Sequence, residues 1–289
     1  MTLDLRRLSH FVAVAEAGSF TAASATLHIT QQALSQSVQL LEKDLGAELF
    51  LRSGRRITPT AAGAQLLIEG RVLLAAADTV ADRVSRIAED SPEVFVVGHT
   101  PALSSAEVYA RLEPAIDGFE HLSVTFRQMY PDELLREILE GTVHLGLRRG
   151  VAPTAELSSA TIGYDRVRVA VPRGHRLADA TVVDIRELAG EQIALWAPPG
   201  ASYYSDFLMG ACRRAGFEPD FVVSRVQGAA TVAAPLTTGA PAFVTTQGGP
   251  AMDGRVRVID LEPDLLVGVQ ALWQRHTRSA FRDAVLAAR

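Results

Sequence analysis

The chain has 289 residues, and 48% of them are apolar, which is enough for two domains with buried cores. It contains no apolar run of about 18 residues and no signal-peptide pattern, so we predict a cytoplasmic protein with no membrane partner. The single cysteine, Cys212, excludes an internal disulfide, and the net charge of −5 does not by itself indicate nucleic-acid binding.

The N-terminal segment has the pattern of three short helices. Apolar residues recur at helical spacing from Leu5, and Gly18 is suited to end that helix because glycine adopts positive φ without strain. Ser19 and Thr30 can cap a second and a third helix, and Gly46 ends the third. Two short helices with a tight break before the third are the layout of a helix-turn-helix.

The third helix, about residues 30–45, is amphipathic. Its apolar stripe consists of Leu34, Val38, Leu41 and Leu45. Its polar face consists of Gln32, Ser35, Gln36, Gln39 and Lys43. Glutamine amides pair bidentately with adenine, and serine bonds several base edges, so this face suits the major groove. A polar face alone is more often only solvated, but its position after two short helices favours the DNA-reading interpretation.

A short basic hairpin follows this helix. Two β-like runs, 48–52 and 55–58, flank a Ser-Gly turn, which predicts a wing. Its three arginines, Arg52, Arg55 and Arg56, suit phosphates or a narrow minor groove.

A long helix is predicted over 59–90, starting at Thr58-Pro59, where a capping hydroxyl precedes proline. At ~1.5 Å per residue it would extend about 45 Å. Large apolar residues repeat every seventh position along it: Leu66, Leu73, Val80 and Ile87. Small residues lie beside them, so we predict a dimerisation helix. The alternative is that this seam packs against its own domain.

Beyond Pro92, apolar strand-like runs alternate with helices, which predicts an α/β fold with parallel sheets covered on both faces. The runs lie at 94–98, 122–128, 143–149, 166–172, 191–197, 221–226, 241–246 and 267–273. Ligands of such sheets bind beyond the carboxyl ends of strands. The candidate effector residues there are Thr100, Pro101, Ser104, Gln128, Arg148, Trp196, Ser202, Gln227 and Thr245. Several begin helices, whose free N–H groups favour an anion, although Ser and Thr at such junctions often only cap helices.

Catalytic and metal-binding patterns are missing from the sequence. The seven histidines have no ligand spacing, and no nucleophile elbow, Walker A or dinucleotide motif is present. We therefore predict no enzyme, no metal and no cofactor.

Residues 8–63, LSHFVAVAEAGSFTAASATLHITQQALSQSVQLLEKDLGAELFLRSGRRITPTAAG, resemble the LysR-type transcriptional regulators. The resemblance places DNA contacts on Gln31, Gln32, Ser35, Gln36, Gln39 and Arg52. It places the structural core on Phe11, Ala22, Ala23, Leu34, Leu41, Leu45 and Phe50. The sequence departs from the family at Gln32, usually proline, and at Gln36, often arginine.

The resemblance continues more loosely through VVGHT, LLREILEGTVHLGLRRG and RVRVAVPRGHRLAD. It implies a winged helix-turn-helix over 1–58, a linker helix over 59–90, and a two-lobed, periplasmic-binding-protein-like effector domain over 91–289. Lobe one would span 92–163 plus 268–289, and lobe two 164–267.

The partners implied by the resemblance are double-stranded DNA with a pseudo-palindromic promoter site, a small-molecule effector, RNA polymerase, and further copies forming dimers and then tetramers. The alternative class is a solute-binding or sensory module that acts through protein contacts.

Overall fold

A computed structural model describes residues 3–53, 56–88, 93–154, 156–224, 231–275 and 277–288. The chain divides into two units, the first containing Met1–Glu93 with Leu139–Gly141 and the second containing Val94–Ile138 with Thr142–Arg289. The elements of the first unit are α1 (Leu5–Ala17), α2 (Phe20–Thr26), α3 (Gln31–Leu45), β1 (Phe50–Ser53), β2 (Arg56–Pro59) and α4 (Ala61–Ala88).

The ends of the three short helices follow the capping residues predicted from the sequence. Ser19 Oγ accepts from the Ala22 N–H at 3.4 Å, and Thr30 Oγ1 accepts from the Ala33 N–H at 3.2 Å. Gly18 and Gly46 have φ of 61° and 67°, the left-handed conformation that ends a helix at low steric cost. The predicted ends of these helices are therefore confirmed.

One apolar core holds α1, α2 and α3 together. Phe50 at the start of the hairpin stacks near Phe11, with ring centroids 5.0 Å apart, and Leu34 of α3 is fully buried against them. Among the expected core residues, Ala22 is wrong: it is exposed. The adjacent Ala23 takes the inward position of α2, since neighbouring helical residues face directions about 100° apart.

The long helix begins later than predicted, because the hairpin uses the residues at its expected start. Pro59 is the last residue of β2, opposite Phe50, and the Thr60 N–H donates to the Leu49 carbonyl at 2.9 Å. Thr60 Oγ1 then accepts from the Gly63 N–H at 2.9 Å, so Thr60, not Thr58, caps α4.

The second unit alternates strands and helices. Its elements are β3 (Glu93–His99), α5 (Ser105–Ile116), β4 (Leu122–Gln128), α6 (Pro131–Leu139), β5 (Leu145–Arg149), β6 (Leu157–Pro172), β7 (Val182–Asp184), β8 (Gln192–Leu195), α7 (Tyr203–Arg214), β9 (Asp220–Val223), α8 (Ala234–Thr238), β10 (Ala242–Val244), β11 (Gly249–Ala251), β12 (Val256–Gln274) and α9 (Ala280–Ala287).

The strands join in the order β4-β3-β5-β12-β6-β10-β8-β9, with β7 and β11 also paired to β12. β3 pairs with β5, and β8 with β9 and β10, in parallel, as predicted. The centre is different: β6 and β12 are long and antiparallel to each other. The predicted parallel pairing therefore holds on either side of an antiparallel central pair, in which the chain crosses between two lobes and back.

Two lobes form around this central pair. One apolar cluster joins β3, α5, β5 and the end of β12 to α9, through residues such as Phe95, Leu112 and Phe281. Separate clusters join β8, α7 and β10 to the other halves of β6 and β12, through residues such as Ile193 and Phe243. We call these lobe one and lobe two.

Candidate functional sites

The polar face of α3 forms an open depression of about 710 Å³. It is lined by Gln31, Gln32, Ser35, Gln36 and Gln39. The four glutamines are exposed and the serine is half-buried, while the opposite stripe of α3 lies in the core. The structure thus brings together the five α3 residues singled out from the sequence, as a surface rich in amides and without charge.

One of these amides is already oriented within the unit. Thr21 Oγ1 donates to Gln31 Oε1 at 3.2 Å, so the hydroxyl of α2 holds the amide oxygen of this side chain. The wing arginines cannot be placed beside this surface: Arg55 and the side chains of Arg52 and Arg56 lie outside the described part of the chain.

The apolar residues that repeat every seventh position along α4 fall into two groups, one packed within the first unit and one exposed. Leu66, in the N-terminal half, packs against the core of its own unit. Leu73 and Val80 are 42% and 62% exposed, and Val84 is also 62% exposed. The Ile87 side chain falls outside the described residues. The large apolar side chains of α4 that remain exposed within the described part of the first unit therefore lie between Leu73 and Val84.

Most of the predicted effector residues in the second unit lie at the strand ends as expected, but two of them have structural partners. Ser104 Oγ takes part in a capping box with Glu107 at the start of α5. Ser202 Oγ accepts from the Ser205 N–H at 3.4 Å and caps α7. Their hydroxyls therefore stabilise helix starts, as Ser commonly does there.

The other strand-end candidates differ in accessibility. Thr100 is buried, and its N–H donates to the Leu147 carbonyl at 3.1 Å. Pro101 is half-buried and Gln128 is exposed. Gln227 lies outside the described residues. Thr245, from lobe two, donates its hydroxyl to Glu107 Oε1 of lobe one at 3.1 Å, so its side chain links the lobes.

A buried ion network that the sequence reading missed lies beside this link. Arg149 has a side chain only 2% exposed, and it pairs with Asp165 Oδ2 at 2.9 Å and with Glu107 Oε1 at 2.5 Å. It also donates to the Ala102 carbonyl, and Arg111 pairs with Asp165. The sequence indicates this network only through two consecutive arginines in a fully buried strand, because a buried charge requires a partner of opposite charge.

The electrostatics of the network keep the Glu107 carboxylate charged. Burial alone would raise the pKa of Glu107, but the Arg149 guanidinium and hydrogen bonds from Ser104 outweigh it and lower that pKa to about 2. Tyr204 is buried beside the network, and burial raises its pKa to about 12. The Tyr204 hydroxyl has no hydrogen-bond partner within the described residues.

The described part of the chain holds no group of three or more His, Cys, Asp or Glu side chains placed to bind a metal ion. Cys212 is buried, and burial raises its pKa to about 11, which disfavours the reactive thiolate. None of the described helices is both long enough and apolar enough to span a membrane.

A winged helix-turn-helix joined through a long helix to a two-lobed α/β unit defines the class of ligand-responsive transcription factors. Comparison with known proteins specifies the class. Residues 5–64 match the bacterial regulatory helix-turn-helix protein, lysR family, and residues 88–288 match the LysR substrate binding domain. The chain belongs to the LysR family and is a DNA-binding transcriptional regulator with an effector-binding domain.

Similar proteins extend over nearly the whole chain. The uncharacterized HTH-type transcriptional regulator YnfL of Escherichia coli strain K12 is 30% identical, over 96% of this chain and 94% of its own. The regulator TcbR of Pseudomonas sp. strain P51 is 29% identical, over 93% and 90%. Full-length CbnR complexed with its target DNA shares the fold with a TM-score of 0.58 at 23% identity, covering 99% of this chain and 98% of that one.

Proposed function

We propose that α3 reads operator DNA in the major groove and that a small effector bound between the two lobes modulates this regulator. The observation that supports the DNA-reading step is the open amide-rich depression on α3. Glutamine amides are suited to adenine N6 and N7, and the five uncharged residues that line the depression leave phosphate attraction to other residues, such as Arg52, Arg55 and Arg56. We further propose that the protein acts in the cytoplasm, on RNA polymerase at its promoter, and has no catalytic activity.

A binding experiment with the DNA upstream of the protein's own gene tests this reading. The Gln36→Ala variant removes one exposed amide from the depression, and we expect weaker and less base-selective binding, by about 1–3 kcal/mol. Gln65→Ala, on the exposed side of α4, is the matched control and should leave affinity unchanged. Affinity should also fall steeply with salt.

Two results would count against DNA reading by α3. One is equal affinity of Gln36→Ala and the wild type for every operator variant. The other is no promoter binding at any salt concentration, which would favour a sensory module that acts through protein contacts.

We also propose that the stretch of α4 from Leu73 to Val84 forms the dimer contact, and that dimers associate through the second units into tetramers. The support is the exposure of Leu73, Val80 and Val84 on a helix whose opposite side contains the buried Val72 and Ala75. An apolar stripe on a long helix is stable in water when a partner helix covers it. Two reading heads per dimer would suit a pseudo-palindromic site.

Light scattering on the double variant Leu73→Asp, Val80→Asp tests the dimer. We expect the molar mass to fall at least by half, because pairing of the two α4 helices would bury two carboxylates from each helix. Val182→Asp, at an exposed apolar residue of the second unit, is the control. An unchanged mass for the double variant would refute the α4 contact.

A further inference from the structure

One side-chain hydrogen bond ties the start of α3 to α2. Thr21, the second residue of α2, donates through its hydroxyl to the side-chain oxygen of Gln31, the first residue of α3, at 3.2 Å. Both residues are exposed, so the bond lies at the surface that carries the depression and outside the apolar core. The other three glutamines that line the depression have no hydrogen-bond partner in the described part of the chain. Gln31 therefore differs from them although its residue type is the same.

The backbone on each side of this bond is fixed by a helix cap. Ser19 caps α2 two residues before Thr21, and Thr30 caps α3 one residue before Gln31. The Ser24 hydroxyl also donates to the Thr21 carbonyl at 2.9 Å. With both helix starts held, the bond restrains the rotation of the Gln31 amide. An unrestrained glutamine side chain loses rotamer freedom when it binds a partner, so a restrained one binds with a smaller entropic cost.

The bond also decides which atoms of Gln31 remain for a base. A glutamine amide has one oxygen, which accepts, and one nitrogen, which carries two donors. Bidentate pairing with adenine uses both atoms, since the oxygen accepts from N6 and the nitrogen donates to N7. In Gln31 the oxygen already accepts from Thr21, so adenine would have to compete for it.

The Gln31 nitrogen keeps its donors for bases that present acceptors in the major groove. Guanine presents O6 and N7, and thymine presents O4. Both of these bases carry a keto oxygen where adenine and cytosine carry an amino group. A donor-only amide is therefore suited to guanine and thymine and poorly suited to adenine and cytosine.

We propose that Thr21 is a positioning residue that makes Gln31 a reader of the keto oxygen of guanine or thymine. Gln32, Gln36 and Gln39 keep both amide atoms free, so they remain suited to adenine. This inference rests on the proposed function and deepens it, because it names the class of base read by one residue of α3 and the residue of α2 that sets that class.

Affinities for single-base variants of the promoter fragment test the proposal with the full-length protein. Every base pair is replaced in turn by the other three, and the position read by Gln31 is the one at which Gln31→Ala loses discrimination. There we expect the two fragments with guanine or thymine on one strand to bind about three- to tenfold more tightly than the two with adenine or cytosine on that strand. The ranking of guanine against thymine separates the two sources of the keto oxygen, because only guanine also offers N7.

Threonine variants separate positioning from a structural role. Thr21→Val keeps the shape of the side chain but removes the hydroxyl, so the keto preference should fall to about twofold or less and the adenine fragment should gain. Thr21→Ser keeps the hydroxyl and should restore the preference. Thr26→Val is the matched control, because Thr26 is also exposed on α2 and its hydroxyl donates to the Ala22 carbonyl at 3.3 Å. A purely structural role of Thr21 would weaken all fragments alike and leave the ranking of bases unchanged.

Three results would overturn the proposal: a preference for adenine alone at the Gln31 position, a Gln31→Ala variant that loses discrimination nowhere, or a Thr21→Val variant with the wild-type ranking. Should Thr21→Val fail to fold, as judged by circular dichroism, the ranking by the wild type still decides. The position read by Gln36, found with Gln36→Ala, separates this inference from the proposed function. Adenine selectivity there without keto selectivity at the Gln31 position refutes this inference alone, whereas no promoter binding by the wild type refutes both.

Discussion

The variant Arg149→Met tests whether the buried network holds the second unit together. The substitution removes the guanidinium but keeps an unbranched apolar side chain in the same space. It leaves Glu107, Asp165 and the Ala102 carbonyl without their common donor. Because Glu107 belongs to α5 and Asp165 lies on β6, the two elements would then face each other through like charges.

The size of the effect follows from burial. Removing one partner of a buried ion pair costs about 3–5 kcal/mol. The Glu107 side chain is 35% exposed, and Asp165 keeps its contact with Arg111, so we expect the lower end, about 3 kcal/mol. For a unit of roughly 200 residues this lowers Tm by about 6–12 °C.

Tryptophan fluorescence measures this unit selectively, since the two tryptophans, Trp196 and Trp273, both lie in it. The control is Arg186→Met, because the Arg186 side chain is 71% exposed and its solvent-screened ion pair with Asp184 should contribute little to stability. Equal Tm shifts for Arg149→Met and Arg186→Met would refute the assignment of stability to the buried network.

Acid provides a second readout of the same network. The pKa of Glu107 is about 2 in the folded chain against an ordinary 4.5, so its contribution to stability is complete above pH 4.5. That contribution is lost as the pH falls through this interval, because the unfolded chain takes up the proton first. The difference in unfolding free energy between wild type and Arg149→Met should therefore shrink from pH 4.5 towards pH 2.

Three further outcomes are expected. Gly63→Ala should destabilise the first unit by about 3 kcal/mol, measured by urea unfolding followed by circular dichroism, because the added Cβ would clash with the Leu49 carbonyl. Gly70→Ala should destabilise it less, because there the added Cβ meets only the side chain of Leu8. Gln32→Pro should raise the stability of that unit by about 0.5–1 kcal/mol and weaken promoter binding, since the second residue of α3 needs no N–H bond. Cys212 should resist a neutral maleimide until urea unfolds the protein, and prompt labelling of the folded chain would contradict its burial.

Local chemistry explains what the sequence predicted well. The caps at Ser19 and Thr30 and the glycine ends of α1 and α3 depend on neighbours within a few residues, so their patterns were sufficient. The start of α4 was predicted two residues early, at Pro59, because its cap is decided by pairing across the hairpin to Leu49. Antiparallel pairing of β6 with β12 joins residues about 100 apart, which periodicity does not report.

The candidate sites also divide into residues that local sequence locates and residues whose role depends on distant contacts. The outward amides of α3 follow from helical geometry, so the sequence located them all. At the strand ends of the second unit, residue type alone did not separate the caps Ser104 and Ser202 from residues open to a ligand. The Arg149 network required knowing which side chains of three distant segments meet, and the sequence marked it only by two arginines in a buried strand.

The order of the elements along the chain also determines which lobe can complete its core first during synthesis on the ribosome. Lobe one contains the first strands of the second unit, yet its core includes Phe281 and Val285 of α9, at the end of the chain. Lobe two, by contrast, draws its core from residues that end near Val267. The lobe begun first is thus completed only once α9 has been synthesised, and until then its apolar core lacks the contacts of that helix.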